Sequence, residues 1–267
     1  MFCSICGKEK NNLIKDGDYS YICSDCLSLE IKSASTVDTI DLKKAIIGKW
    51  FQENRNKKIE FLKDSTVIWG LHAGDYKFID DNRLRMDFKT EVKVFEVSIN
   101  KEGMLILKEP TGESNRYLTE KSKLARIEAD TKVRFVFSDL TVLDKEKNLM
   151  WTRNANIAGK KMNRDEAFKF VDSLNEQKYA GYNNWRLPDI GELMTLILFG
   201  KSFGYYKNLD KLFNEIGFTN VQSLGYWSSN FVINRRSGLH RYVNMERGDA
   251  GQASMTYNLY VLPVWTG

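Results

Sequence analysis

The sequence predicts a multidomain α+β protein, and three features of its 267 residues indicate this fold class. All four cysteines lie within the first 26 residues. From Trp50 onward, apolar and polar residues alternate with period two, which is typical of antiparallel strands. Two capped, amphipathic helical patterns appear later in the chain. We therefore predict three domains, over residues 1–32, 40–122 and 130–267.

Charge and hydropathy exclude several classes of function. The net charge is only +5, and the excess of basic residues is spread along the chain. A nucleic-acid-binding protein would be expected to concentrate its basic residues in a stripe. No run approaches the roughly 18 apolar residues of a membrane span, and the N-terminus lacks the features of a secretion signal. We expect a cytoplasmic protein that binds neither membranes nor nucleic acids.

The cysteines form two C-x-x-C pairs, Cys3 with Cys6 and Cys23 with Cys26, and sixteen residues separate the pairs. Each C-x-x-C turn directs two thiolates to one point, so two such pairs suit a tetrahedral metal site. Disulfides are the alternative, but they are disfavoured in a reducing compartment. We predict a small zinc finger with four cysteine ligands. These four ligands leave no open position on the Zn²⁺, so the metal would be structural.

The residues around these cysteines, CSICGK at 3–8 and YICSDCL at 21–27, resemble the zinc-binding domain of the ClpX unfoldase. That resemblance implies a module that forms a homodimer or docks a protein partner. The unfoldase is not implied, because the chain contains no G-x-x-x-x-G-K-[ST] phosphate loop. Nucleic-acid binding by a zinc ribbon is the competing interpretation.

The second domain is predicted to be an antiparallel β-barrel of seven or eight strands. A brief helix precedes it, with Asp38 as its cap, an apolar face and Gly48 at its end. Alternation is clear at 59–61, 84–88 and 95–99. Turn signals separate the strands at 74–75, 80–82, 100–103 and 110–112.

Three stretches of the second domain resemble lipocalin-like barrels: GKW at 48–50, IEFLKDSTV at 59–67 and GDYKFIDDNRLRM at 74–86. The resemblance implies a cavity for a small apolar ligand, lined by Trp69, Tyr76, Phe78 or Phe88. The alternative is that these aromatic side chains fill the core, which is favoured for a barrel this small. His72 is predicted to be a surface residue in a loop.

The third domain is predicted to contain both helices and strands. A charged, helical connector over 120–130 leads into two short strands around a turn at 144–148. One helix begins at the capping box of Asn163 and Glu166 and ends before Gly181, and a second begins at Asp189 and Glu192. The tail from Tyr226 is predicted to form strands.

The stretch between the two helices is interpreted as structural. Trp185 and Leu187 are predicted to be buried between helix and sheet, and Arg186 is expected to pair with a nearby carboxylate. Pro188 sets the entry to the second helix.

Four motifs in this domain resemble the C-terminal domain of the Lcl collagen-like adhesins: NLMW at 148–151, AGYNNWRLPD at 180–189, YWSS at 226–229 and YVLPV at 260–264. The resemblance implies a C-type-lectin-like fold, related to formylglycine-generating enzymes, with a variable loop face that binds ligands. The usual last motif carries arginines around its proline. Leu262 and Val264 stand there in this chain, so no charged role is expected at that position.

Arginine, tyrosine and asparagine cluster after the YWSS motif. Arginine and tyrosine are enriched at interfaces, and the guanidinium suits carboxylate, sulfate or phosphate groups. We predict an anionic ligand, with an exposed hairpin of solvated arginines as the alternative. The predicted ligand-binding residues are Asn234, Arg235, Arg236, His240, Arg241, Tyr242 and Arg247.

No catalytic residue is predicted. The third domain has no cysteine to hold the copper of formylglycine-generating relatives, and the only two histidines, His72 and His240, lie in different domains. The sequence favours a non-enzymatic binding protein whose zinc module docks a partner. The alternatives are a nucleic-acid-associated zinc-ribbon protein, a cytoplasmic enzyme of unknown type, and a target of diversity-generating retroelements.

Overall fold

The structure is a computed structural model that describes residues 13–16, 20–23, 40–55, 57–232 and 238–266. The chain divides into two compact units, Met1–Ala45 and Ile46–Gly267. Both contain mixed secondary structure, and strands predominate. Among the described residues, no helix has the length and apolar character needed to cross a membrane.

In the first unit, strands β1 (Leu13–Asp16) and β2 (Ser20–Cys23) pair antiparallel, with Leu13 opposite Cys23. Helix α1 (Leu42–Ala45) confirms the predicted brief helix, whose expected cap, Asp38, lies outside the described residues. Cys3, Cys6 and Cys26 also lie outside them, and Cys23 is described in its backbone only. The zinc site therefore stays a prediction.

The second unit begins with a closed, eight-stranded antiparallel barrel, which confirms the predicted barrel of seven or eight strands. Its closure pairs the last strand with the first, through Tyr117 opposite Gln52 and Leu118 opposite Phe51. Closure leaves no unpaired edge that could aggregate. The strands are β3 (Gly48–Gln52), β4 (Lys58–Phe61), β5 (Thr66–Trp69), β6 (His72–Phe78), β7 (Arg83–Phe88), β8 (Val92–Ile99), β9 (Leu105–Lys108) and β10 (Ser114–Leu118).

Side chains fill the interior of the barrel. Alternate residues point inward, and they include the fully buried Phe61, Phe95 and Leu107. Tyr76 is buried among them and donates its hydroxyl hydrogen to the carbonyl oxygen of Leu62 at 2.9 Å. Trp69, Phe78 and Phe88 pack against this core and are partly exposed. These four aromatic side chains thus serve the core, as the second interpretation predicted.

One predicted turn is wrong. Gly74 and Asp75 lie inside strand β6, and the chain turns instead at 70–71. Gly74 is needed in the strand because a Cβ atom there would lie 2.8 Å from Cδ1 of Phe88 on the paired strand. His72 is exposed, as predicted, but it begins a strand and does not lie in a loop.

Helix α2 (Glu120–Arg134) confirms the predicted connector and joins the barrel to the C-terminal domain within the second unit. Arg126 forms an ion pair with Glu53 of the barrel at 2.6 Å. The ammonium of Lys123 lies 5.3 Å from the ring centroid of Phe51 and 4.5 Å from that of Tyr205, and burial lowers its pKa. These contacts hold the barrel against the C-terminal domain.

The C-terminal domain contains two antiparallel sheets, of order β11-β12-β13-β17 and β14-β15-β16. The first sheet comprises β11 (Phe135–Phe137), β12 (Thr141–Asp144), β13 (Leu149–Thr152) and β17 (Val264–Trp265). The second comprises β14 (Gly225–Phe231), β15 (Leu239–Asn244) and β16 (Asp249–Ser254). The helices are α3 (Arg164–Glu176), α4 (Ile190–Ser202) and α5 (Leu209–Ile216), with a 3₁₀ turn at Tyr179–Gly181.

Both predicted capping boxes are confirmed, at Asn163 with Glu166 and at Asp189 with Glu192. Trp185 and Leu187 are buried as predicted. Arg186 donates two hydrogen bonds to Glu192, at 2.8 and 2.6 Å, which confirms the expected ion pair.

Candidate recognition surface

The three-stranded sheet β14-β15-β16 is packed on both faces. Successive side chains of a strand point to opposite faces. Tyr226 and Val243 belong to the apolar core that includes helices α4 and α5, whereas Trp227 and Tyr242 pack with helix α3. The sheet is thus held between two cores.

Tyr242 is fixed by two glycines that leave room for its ring. A Cβ atom on Gly225 would lie 2.8 Å from Cδ2 of Tyr242, and one on Gly251 would lie 2.6 Å from its hydroxyl oxygen. Contacts this short do not occur between real side chains, so both positions require glycine. Tyr242 therefore lies flat across the sheet as a packing residue.

Arg164, the first residue of helix α3, ties that helix to strand β14. Its two terminal nitrogens donate to the carbonyl oxygens of Ser228 and Ser229, at 2.7 and 2.6 Å. The guanidinium also lies 5.0 Å from the ring centroid of Phe168. These carbonyls lie where the register of β14 shifts, between Trp227 and Phe231. Because β14 is irregular here, these carbonyl oxygens accept hydrogen bonds from Arg164 in place of a neighbouring strand.

Arg164 is only 6% exposed, and it makes no ion pair with any carboxylate in the described portion of the chain. Burial lowers its pKa from the ordinary value, although the guanidinium still remains charged at neutral pH. This buried cation contributes a positive potential at the nearby surface, which the neighbouring carboxylate of Asp165 offsets in part.

His240 lies beside this cation. It is paired with Phe231 on one side and with Ala253 on the other. Its Nδ1 atom is buried and has no hydrogen-bond partner among the described residues. Burial, and then the charge of Arg164, lower the pKa of His240 below its ordinary value of 6.5. The imidazole is therefore neutral at neutral pH.

Four large side chains are exposed around this pair, and together we call them the recognition surface: Phe168, Phe231, Met255 and Tyr257. Phe231 and Tyr257 are 63% and 62% exposed, and the other two are also exposed. The amide of Arg164 donates to the carbonyl oxygen of Met255 at 3.0 Å, which places that segment against helix α3. Exposed apolar surface of this kind marks interaction sites, with aromatic residues as common anchors.

The structure does not bring the predicted ligand-binding residues into one cluster. His240 and Tyr242 share a face of β15, whereas Arg241 is exposed on the opposite face. Arg247 lies in the turn before β16, where Asp249 pairs with it at 3.2 Å and raises its pKa. The remaining predicted residues, Asn234, Arg235 and Arg236, lie outside the described residues.

Sequence reasoning missed Arg164 and Phe168. A signal was present, because the positive end of the helix macrodipole favours acidic side chains in the first turn. Asp165 and Glu166 obey that preference, and Arg164 opposes it. An arginine at this position indicates a role outside its own helix.

The barrel carries a separate concave site at its mouth. A cavity of about 380 Å³ is lined by Trp69, Phe88 and the rim lysines Lys57 and Lys93, among others. Trp69 and Phe88 thus pack against the barrel core and also line this cavity on their exposed sides, whereas Tyr76 and Phe78 only pack in the core. Across the described part of the chain, no group of three or more metal-ligating side chains is placed to hold a metal ion.

The two sheets and their packed helices define a C-terminal α+β domain. Residues 140–265 match the family model of the Lcl C-terminal domain. The resemblance of the third domain is thereby confirmed, and it indicates an adhesin-like C-terminal domain. A search of curated proteins found no match.

Proposed function

We propose that residues 130–267 form a non-enzymatic, lectin-like recognition domain that binds its ligand on the recognition surface. The observation that carries this proposal is the group of exposed aromatic side chains around a buried, unpaired arginine. The match to an adhesin C-terminal domain supports a binding role.

The local charge supports a ligand that carries negative groups. Arg164 contributes a positive charge and forms no ion pair with a carboxylate among the described residues, whereas Arg241 lies on the opposite face of the sheet and adds no charge here. Aromatic rings supply contact area at low entropic cost, and cations select anionic groups. An acidic polymer would satisfy both features.

Binding of the full chain to immobilised dextran sulfate, polygalacturonate and neutral dextran tests this proposal by biolayer interferometry. We expect saturable binding to at least one anionic polymer, weakened by salt, and none to neutral dextran. Replacing both Phe231 and Tyr257 by alanine should lower the affinity at least tenfold without changing Tm, because both side chains are exposed.

The matched control is Leu198→Ala, which removes an apolar side chain that is 60% exposed on helix α4. Its affinity should equal that of the unaltered protein. Equal binding to charged and neutral dextran, or an affinity that the Phe231 and Tyr257 substitutions leave unchanged, would contradict the proposal.

For the N-terminal unit we propose a structural Zn²⁺ held by Cys3, Cys6, Cys23 and Cys26, which would serve homodimerisation or partner docking in a reducing cytoplasm. The spacing of the cysteines and the antiparallel pairing of β1 with β2 support this proposal. We expect one zinc per chain by elemental analysis, and loss of that zinc in Cys23→Ser. A zinc content below about 0.2 per chain in protein purified without chelators would refute it.

A further inference from the structure

Helices α2 and α5 enclose a groove that lies apart from the recognition surface. Its cavity volume is about 360 Å³, within the range of small-molecule sites. Leu124, Ile127, Phe137 and Ile216 line it with apolar surface. Leu124 is half exposed at the opening, so the groove is accessible from solvent.

A buried hydroxyl lines this apolar groove. Thr131 is only 6% exposed, and its Oγ1 atom has no hydrogen-bond partner among the described residues. Buried polar atoms are nearly always hydrogen-bonded, and an exception needs an explanation. A ligand in the groove that donates a hydrogen bond would satisfy this oxygen once the Thr131 side chain rotates toward the groove, because the oxygen itself is buried.

The charge at the groove is negative. Glu128 is neutralised by Lys132 at 2.6 Å, and Arg134 below them is paired with Asp144. Glu215 also lines the groove and is exposed, and in the described parts of the chain it forms no ion pair. One carboxylate therefore remains uncompensated at the rim.

Helix dipoles strengthen this preference. Glu215 lies in the last turn of α5, which ends at Ile216, and Thr131 lies in the last turn of α2, which ends at Arg134. Both residues therefore lie in the C-terminal turn of a helix, where the macrodipole favours a cation. An acidic residue in the last turn of a helix is slightly unfavourable for that helix alone, so Glu215 is not there to stabilise α5.

We propose that this groove binds a small organic cation: a primary ammonium attached to an apolar group. The apolar group would pack against Leu124, Ile127 and Phe137. Ammonium hydrogens would be donated to the carboxylate of Glu215 and to the hydroxyl oxygen of Thr131. This site is independent of the recognition surface and of the ligand proposed there.

Isothermal titration calorimetry of the full chain with three matched probes tests the proposal. The probes are 2-phenylethylamine, 2-phenylethanol and 3-phenylpropionate, which place a cation, a neutral group or an anion on the same ring. We expect the amine to bind saturably and at least tenfold more tightly than the alcohol, and the propionate not to bind.

Two substitutions assign the binding to the groove. Glu215→Gln should reduce the affinity for the amine to that for the alcohol, and Thr131→Val should weaken amine binding at least tenfold, because the lost hydrogen bond has a charged donor. Glu176→Gln, which removes a charge at the end of helix α3, should change nothing. Unaltered Tm values verify that the variants remain folded.

The proposal would be overturned if no probe bound saturably up to its solubility limit. Equal affinity for the amine and the alcohol would also overturn it, because the charge would then have no role. Unchanged amine binding by Glu215→Gln would show that any site lies elsewhere.

Discussion

Replacing Asp144 by alanine is expected to lower the free energy of unfolding by about 3–5 kcal/mol. Asp144 is fully buried and accepts hydrogen bonds from Nε and Nη2 of Arg134, at 3.0 and 2.5 Å. Its Oδ1 atom also accepts the amide of Glu146, in the turn after β12. Removing the carboxylate would leave the guanidinium of Arg134 buried without its counter-ion, which is the costly event.

The surroundings of Arg134 give it no alternative partner of equal strength. Its guanidinium lies 4.9 Å from the ring centroid of Phe135 and 5.2 Å from that of Phe199. The rings provide a cation-π contact but no acceptor for its N–H groups. The carboxylate of Glu146 lies 3.8 Å from Arg134 and is half exposed, so it would replace the lost charge of Asp144 only weakly.

Urea denaturation followed by circular dichroism measures this effect. Glu96→Ala is the matched control, because its ion pair with Lys108, at 3.3 Å, is half exposed and should contribute less than about 1 kcal/mol. The double substitution Arg134→Met and Asp144→Leu should recover most of the loss, since it removes both charges. If Asp144→Ala lowered the free energy of unfolding by no more than Glu96→Ala, the buried ion pair would not be a major source of stability.

The features that sequence predicted well are local ones. Each capping box joins residues three apart, and the Arg186–Glu192 pair joins residues six apart. The barrel strands alternate cleanly because one face of each strand packs into a single filled interior. Such patterns are complete within a few residues, so no knowledge of the tertiary structure is needed to recognise them.

The features that sequence missed depend on distant contacts. Gly74 resembles a turn residue, but Phe88 on a neighbouring strand requires it inside β6. Sequence analysis did not predict helix α5, and Asn208, which precedes it, adopts a left-handed conformation and makes no side-chain cap. Its buried Leu209, Leu212 and Phe213 are held by the core of the domain.

The candidate site shows the same limit. The clustering of arginines in the sequence suggested one binding face, yet alternation along β15 sends Arg241 to the face opposite His240. Arg164 enters the site from a helix 64 residues before Ser228, so no local pattern could connect them. The recognition surface is therefore a property of tertiary packing.

Replacing Arg164 by methionine is expected to destabilise the protein by about 3 kcal/mol or more, because hydrogen bonds from a charged donor contribute about 1.5–3 kcal/mol each. Methionine retains much of the apolar contact with Phe168, so the loss reports mainly on the carbonyl oxygens of Ser228 and Ser229. Those carbonyls hold the irregular end of β14, which presents Phe231. We therefore expect the variant also to lose binding of anionic polymer.

The titration of His240 distinguishes this effect from general destabilisation. Its folded pKa is lowered first by burial and then by the charge of Arg164. Because the unfolded chain binds the proton more tightly, stability should decline as the pH falls below about 6.5, the ordinary value for histidine. Without Arg164 the repulsive charge is gone, so the pKa of His240, measured by NMR, should rise and this decline should become shallower.

Arg247→Met provides the comparison, since it removes an exposed arginine from the turn before β16, where Asp249 and Tyr242 are its partners. Its stability should change by less than about 1 kcal/mol, and the pKa of His240 should not move. If Arg164→Met and Arg247→Met gave equal losses of stability, or if the His240 titration were the same in both, Arg164 would not be the residue that organises this end of the sheet. The exposed aromatics would then have to be positioned by the strand alone.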